Sequence, residues 1–114
     1  MRQTLHSTVD VALSSAARTA SATSNVFKVE GAETLMMFLD ITAKSGSPTL
    51  DVKLQTSPDQ VQWFDASAFP QQTDVFADYN ALTLRQYGKY VRVVGTFGGS
   101  GSITYSVKLE RKER

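Results

Sequence analysis

"LDVKLQTSPDQVQWF" runs from Leu50 to Phe64, and its reading decides the fold. Leu50, Val52 and Leu54 alternate with Asp51, Lys53 and Gln55. A period of two places the first set on one face of a strand and the second set on the other. Ser57-Pro58-Asp59 then breaks the alternation. Pro58 presets φ for the second position of a type I turn, and the Asp59 carboxylate can take up local backbone N–H groups. Apolar residues resume at Val61, with Trp63 and Phe64 after it. The stretch predicts a strand, a tight turn and the start of another strand.

The same grammar extends outward in both directions. Leu5, Ser7, Val9, Val11 and Leu13 fall on one side of a strand over Thr4 to Leu13. "SSAARTASATSN", Ser14 to Asn25, is dominated by Ser and Thr and carries no 3.6-residue apolar stripe. It reads as a connection with a short edge strand near Arg18 to Ala22, or else as a flexible arm, so residues 1–25 form an N-terminal strand and a possible arm. Val26 to Val29 is a short strand. "TLMMFLDITA", Thr34 to Ala43, suits a strand buried on both faces for part of its length. "KSGSP" is a hairpin loop, with Gly46 available for positive φ and Pro48 opening the next strand.

Phe69 to Ala81 is the least regular part, a loop with a weak strand, and Leu82 to Leu84 is a short strand. Tyr90 to Phe97 alternates well. "GGSG", Gly98 to Gly101, is a second hairpin loop, after which Ile103, Tyr105, Val107 and Leu109 line one face of a final strand. "ERKER", Glu110 to Arg114, reads as a charged, frayed tail. Eight or nine short strands with frequent turns and no helix predict an all-β, single-domain antiparallel β-sandwich over residues 1–114, of jelly-roll type.

Composition narrows the function classes. A net charge of +1 in 114 residues leaves no electrostatic footprint for a nucleic-acid backbone or an acidic membrane surface. Cysteine is absent, which excludes disulfides and thiolate metal sites. Asp10, His6 and several Ser and Thr interrupt the first residues, so they lack the apolar run of about 7–15 residues of a signal peptide. Leu35 to Leu39 is the longest apolar run, far short of the ~20 residues that span a bilayer.

No constellation of catalytic side chains is legible. His6 is the single histidine, without partners at triad or metal spacing. Asp51, Asp59, Asp65, Asp74 and Asp78 lack calcium-loop spacing and suit solvated or turn-forming roles. A phosphate-cradling loop needs a helix behind it, and "GTFGGSG" is followed by a strand. The expectation is a protein that is not an enzyme and holds no cofactor or metal. Trp63, Phe64 and Phe69 read first as core. Phe76, Tyr79 and Tyr87 suit packing or surface contact equally. Arg85, Lys89, Arg92 and Lys108, with Arg111, Lys112 and Arg114, give the C-terminal third a basic bias. The default for these charges is a solvated face, with Arg92 and Lys108 on the polar faces of their strands, and the sharper alternative is an interface with an acidic partner. Phe76, Tyr79, Arg85, Tyr87 and Arg92 are the candidate protein-interface residues.

"SAART" (15–19), "MFLDITAKSGSPTLDVKLQTSPDQVQWFD" (37–65), "AF" (68–69) and "YVRVVGTFGGSGSITYSVKL" (90–109) together resemble a group of small proteins from the structural gene modules of tailed bacteriophages. Those proteins usually carry glycine where this chain has Gln60, and the loop "GGSGS" replaces one carrying proline. The resemblance implies a virion protein of jelly-roll type, made in the host bacterial cytoplasm and carried on the capsid exterior. There it would act as a cement or decoration protein, a dimer or trimer that bridges major capsid protein subunits. It implies no direct contact with nucleic acid or membrane. "SPDQVQWFD" also echoes the turn of discoidin-like sugar-binding sandwiches, so a carbohydrate-binding module is one alternative. A head–tail connector or tail protein is another.

Overall fold

The computed structural model describes residues 6–30, 32–83 and 86–113. Among them are nine strands: β1 His6–Arg18, β2 Ala22–Thr23, β3 Phe27–Lys28, β4 Ala32–Ser45, β5 Pro48–Ser57, β6 Phe64–Ala68, β7 Phe76–Thr83, β8 Tyr90–Gly99 and β9 Ser102–Glu113. No helix occurs among the described residues, and so none long and apolar enough to cross a membrane.

Two antiparallel sheets form a sandwich. One has the order β1-β9-β4-β7, the other β2-β8-β5-β6, with β3 also pairing β8. β2 and β3 both pair β8, at Gly95–Val94 and at Val91–Tyr90, so they are two pieces of one interrupted edge strand. With that strand counted once, the chain crosses between sheets in the double Greek-key order of a jelly roll.

The core lies between the sheets and follows the alternation. β4 contributes Leu35, Met37, Leu39 and Ile41, β5 Leu50, Val52 and Leu54, β8 Val91 and Val93, and β9 Ile103, Tyr105, Val107 and Leu109. Phe69 is buried with them, as the sequence indicates, and meets Phe76 edge to face at 6.3 Å between ring centroids.

Several boundaries differ from the sequence reading, each for a local reason. β1 continues through Ser14–Arg18, in place of the connection or arm, because Ala16, Ala17 and Arg18 pair with Tyr105, Thr104 and Ile103 of β9. Bulges between Val11 and Leu13, and between Leu13 and Ala16, shift its phase. Leu13 is therefore buried, while Val9 and Val11, expected on the same face, are 57% and 55% exposed. Thr4 and Leu5 lie outside the described residues, as does Leu84 at the end of the expected Leu82–Leu84 strand. Phe76 to Thr83 is one continuous strand along β4.

The C-terminal segment is a strand as far as Glu113, where a frayed tail was expected. It pairs with β1 on one side and β4 on the other. Arg111 continues the inward-facing series of β9 and is turned toward the interior. Its Nε lies 3.2 Å from Asp10 Oδ2, and its Nη1 donates to the Lys28 carbonyl at 2.9 Å. Both buried atoms of the Nε–Oδ2 contact miss hydrogen-bond alignment, so the pair is held by charge rather than by a directed bond there.

Val61 and Gln62 belong to the turn, so β6 starts later than the apolar pattern suggests. Asp59 Oδ1 accepts from the backbone N–H of Val61 at 2.8 Å and of Gln62 at 3.1 Å, two donors that a ladder would need. These bonds hold the Asp59 carboxyl below the usual carboxylate range. Ser57 Oγ accepts from the N–H groups of Asp59 and Gln60 and closes the turn. Gln60 has φ 65°, a left-handed conformation that a side chain resists by about 1 kcal/mol. Gln60→Gly is expected to raise stability by about 0.5 kcal/mol, the relief of that strain less the added chain entropy. A denaturant midpoint that rises at unchanged slope would show it.

Candidate interaction surfaces

The four candidate interface residues that are described, Phe76, Tyr79, Tyr87 and Arg92, do not gather at one place. Tyr79 is 54% exposed on the outer face of β7, tilted against Phe38 with ring centroids 5.7 Å apart. Arg92 lies on the outer face of the other sheet. Phe76 is partly buried and packs on the core. Tyr87 is also packed on the core, and its hydroxyl donates to the Ala32 carbonyl at 2.7 Å. Burial, then the nearby Glu33 charge, pushes its pKa up. Phe76 and Tyr87 are therefore held by the fold. Arg85 lies outside the described residues.

Arg92 belongs to a chain of contacts across β8, β5 and β6. Its guanidinium stacks 4.3 Å from the centre of the Trp63 ring, and its Nε donates to Gln55 Oε1 at 2.8 Å. Gln55 Nε2 donates to Asp65 Oδ1 at 3.1 Å, and Lys53 Nζ lies 3.2 Å from the same oxygen. The Gln55 bond and then Lys53 hold the Asp65 carboxyl below its ordinary range. Register explains the line: Gln55 faces both Arg92 and Asp65 across neighbouring strands. Trp63 and Phe64 thus sit on the surface. The core reading fails for them because the Asp59 turn displaces the strand start and carries Trp63 outside the sandwich. Phe64 is 55% exposed.

A second exposed surface lies where the edge strands β6 and β7 meet. Asn80 Nδ2 bridges them, donating to Ser67 Oγ at 3.0 Å and to the Ala68 carbonyl at 3.3 Å. Phe64, at the Thr56 end of β6, and Val75, just before β7 at its Ile41 end, flank this edge from opposite ends, and Val75 is 62% exposed.

The carboxylates are dispersed. Asp51 accepts from Gln71 Nε2 at 2.9 Å, and Asp74 and Asp78 each accept the N–H of the next residue. Among the described residues no three His, Asp or Glu side chains are placed to hold a metal ion. The "GGSG" and "KSGSP" segments, expected as hairpin loops, are instead crossings between the sheets, from β8 to β9 and from β4 to β5, because β9 pairs with β4 and β8 with β5; Gly99 and Gly101 take positive φ. The two crossings pair through reciprocal 3.1 Å bonds between Ser47 and Ser100.

No protein-family model matches the chain, and no curated protein sequence matches it. Solved structures share its fold. The crystal structure of the SPBc2 prophage-derived protein YomS superposes with a TM-score of 0.65 at 11% identity, covering 99% of this chain and 98% of that one. The infectious bursal disease virus VP2 subviral particle gives 0.64 at 9% identity over 96% of this chain. The infectious bursal disease virus Gx strain structure gives 0.62 at 9% over 97%. This chain matches 33% of each of those two longer chains. At such identities the likeness is one of fold.

Proposed function

We propose that the chain is a structural protein of a bacteriophage virion that binds the outside of the capsid as a cement protein and bridges major capsid protein subunits. The observation that carries this reading is the end-to-end fold match to a prophage-derived protein of nearly the same length. The phage-like words of the sequence and the jelly roll shared with a viral subviral particle support it. The side where β6 meets β7, flanked by Phe64 and Val75, is the proposed shell contact. A cement protein gains from rigidity, because a preorganised binder loses little entropy on docking. Many copies of a weak contact then act together. Neither requires catalysis, a cofactor, nucleic acid or a membrane.

The test is heat resistance of undecorated heads of the parent phage, with and without added protein. Added protein is expected to raise the temperature at which heads release DNA, and Val75→Asp with Phe64→Ala to abolish the gain. Heads that release DNA at the same temperature in both cases contradict the proposal.

One observation favours a second reading, a carbohydrate-binding module: Trp63 and Phe64 are at the surface. Arg92 stacks on one face of the indole, and a sugar ring would have to stack on the other. Quenching of the Trp63 fluorescence by host-surface glycans, with no binding to heads, would favour it.

A further inference from the structure

We propose that the outer face of the β1-β9-β4-β7 sheet binds a second copy of this chain, through a two-fold axis running across the strands. The face is built in rows by the strand register. One row is Val9, Glu110, Met36 and Ala81, and the next is Val11, Lys108, Phe38 and Tyr79. Ser7, Lys112, Thr34 and Thr83 lie beyond the first row, and Ser106, Asp40 and Ala77 beyond the second.

"TLMMFLDITA" is apolar on both faces, and the sandwich core accounts for only one. Leu35, Met37, Leu39 and Ile41 face inward, while Met36 and Phe38 are half-buried on the outside between Val9, Val11 and Tyr79, each more than half exposed. Among the described residues no second layer covers them.

The charges specify the occupant. A two-fold axis between the two central rows lays each row on the other row of the partner. Val9 then meets the partner's Val11, Met36 meets the partner's Phe38, and Ala81 meets the partner's Tyr79. Glu110 meets the partner's Lys108, and Asp40 comes beside the partner's Lys112. Lys108, Lys112 and Asp40 form no ion pair among the described residues, and this arrangement supplies each with an opposite charge. Such self-complementarity is what an isologous contact requires. An axis along the strands would instead bring Lys108 rows together.

Four strands spaced by ~4.8 Å, with ~3.3 Å per residue along them, give a face of several hundred Å², the class of weak to standard interfaces. Pairing of the β1 edges is less favoured, because the two bulges of β1 break the straight edge it would need. Rotation about an axis across the strands keeps both copies' β6–β7 sides at the same end of the dimer. Both proposed shell contacts would then point the same way.

Sedimentation equilibrium of the isolated protein tests this without any shell, so its failure leaves the cement proposal standing. The wild type is expected to dimerise. Lys108→Glu, which sets like charges against Glu110 of the partner, is expected to weaken association roughly tenfold or more. The swap Lys108→Glu with Glu110→Lys is expected to restore it, with unchanged melting of all three proteins at low concentration. A monomeric wild type, a Lys108→Glu variant that associates normally, or a swap that fails to recover would each overturn the proposal.

Discussion

Gly95→Ala is expected to destabilise the protein by about 2 kcal/mol, an overpacking cost, and to lower its melting temperature by roughly 10 °C. Gly95 lies on β8, and Tyr105 reaches across the core from β9 in the other sheet. A Cβ at position 95 would collide with the Tyr105 hydroxyl. The ring is 1% exposed and cannot swing away, so strand or ring must shift. The hydroxyl itself has no hydrogen-bond partner among the described residues, and burial pushes its pKa up.

Tyr105→Phe should therefore cost nothing or stabilise slightly, since it removes a buried, unpartnered polar group. In the Tyr105→Phe background, alanine at 95 meets only ring carbon at 3.3 Å, a contact that a small shift relieves. The two substitutions should be non-additive by at least about 1 kcal/mol in thermal or denaturant melts. Additive effects would mean that the ring does not stand against Gly95.

Arg111→Ala is expected to cost about 2 kcal/mol, less than the 3–5 kcal/mol for breaking a fully buried pair. Its side chain is 22% exposed and that of Asp10 is 26% exposed, so water screens part of the loss. The variant strands Asp10 on the inner face and removes the donor to the Lys28 carbonyl. Replacing both members, Asp10→Leu with Arg111→Met, should recover most of the stability, because the desolvation penalty disappears with the charges. A denaturant titration that finds Arg111→Ala within experimental error of wild type would return residues 110–114 to the frayed tail that their composition suggests.

That last contrast shows what the sequence could carry. The alternation of Leu50–Leu54, Tyr90–Phe97 and Ile103–Leu109 declared the inner faces of three strands, because one face was apolar and the other polar. The period continued through Arg111, but a charged residue reads as an ending. Asp10 on the neighbouring strand and the Lys28 carbonyl make an inward guanidinium tolerable. Ser14–Arg18 was hidden by composition, since Ser and Ala on an edge strand leave little apolar signal. Bulges hid the phase of Val9 and Val11, because each inserted residue inverts every face assignment before it.

The surfaces were less legible than the core. Trp63 and Phe64 look like core residues by type alone, and only the backbone bonds captured by Asp59 explain their displacement. Tyr79 could be placed in either environment from sequence. Its partner Phe38 comes from register, which a single sequence does not reveal. The apolar excess of Met36 and Phe38 was visible as a run buried on both faces, but nothing local says what covers the second face.

Cosedimentation with undecorated phage heads tests the proposed cement role most directly. Purified protein is mixed with heads of the phage proposed to carry it, and its copy number in the pellet is compared with that of the major capsid protein. Saturation at a fixed ratio to the capsid subunits, spread over the whole shell, is the expected result. No binding, or copies confined to a single vertex, would contradict it and point to a glycan-binding, connector or tail role instead.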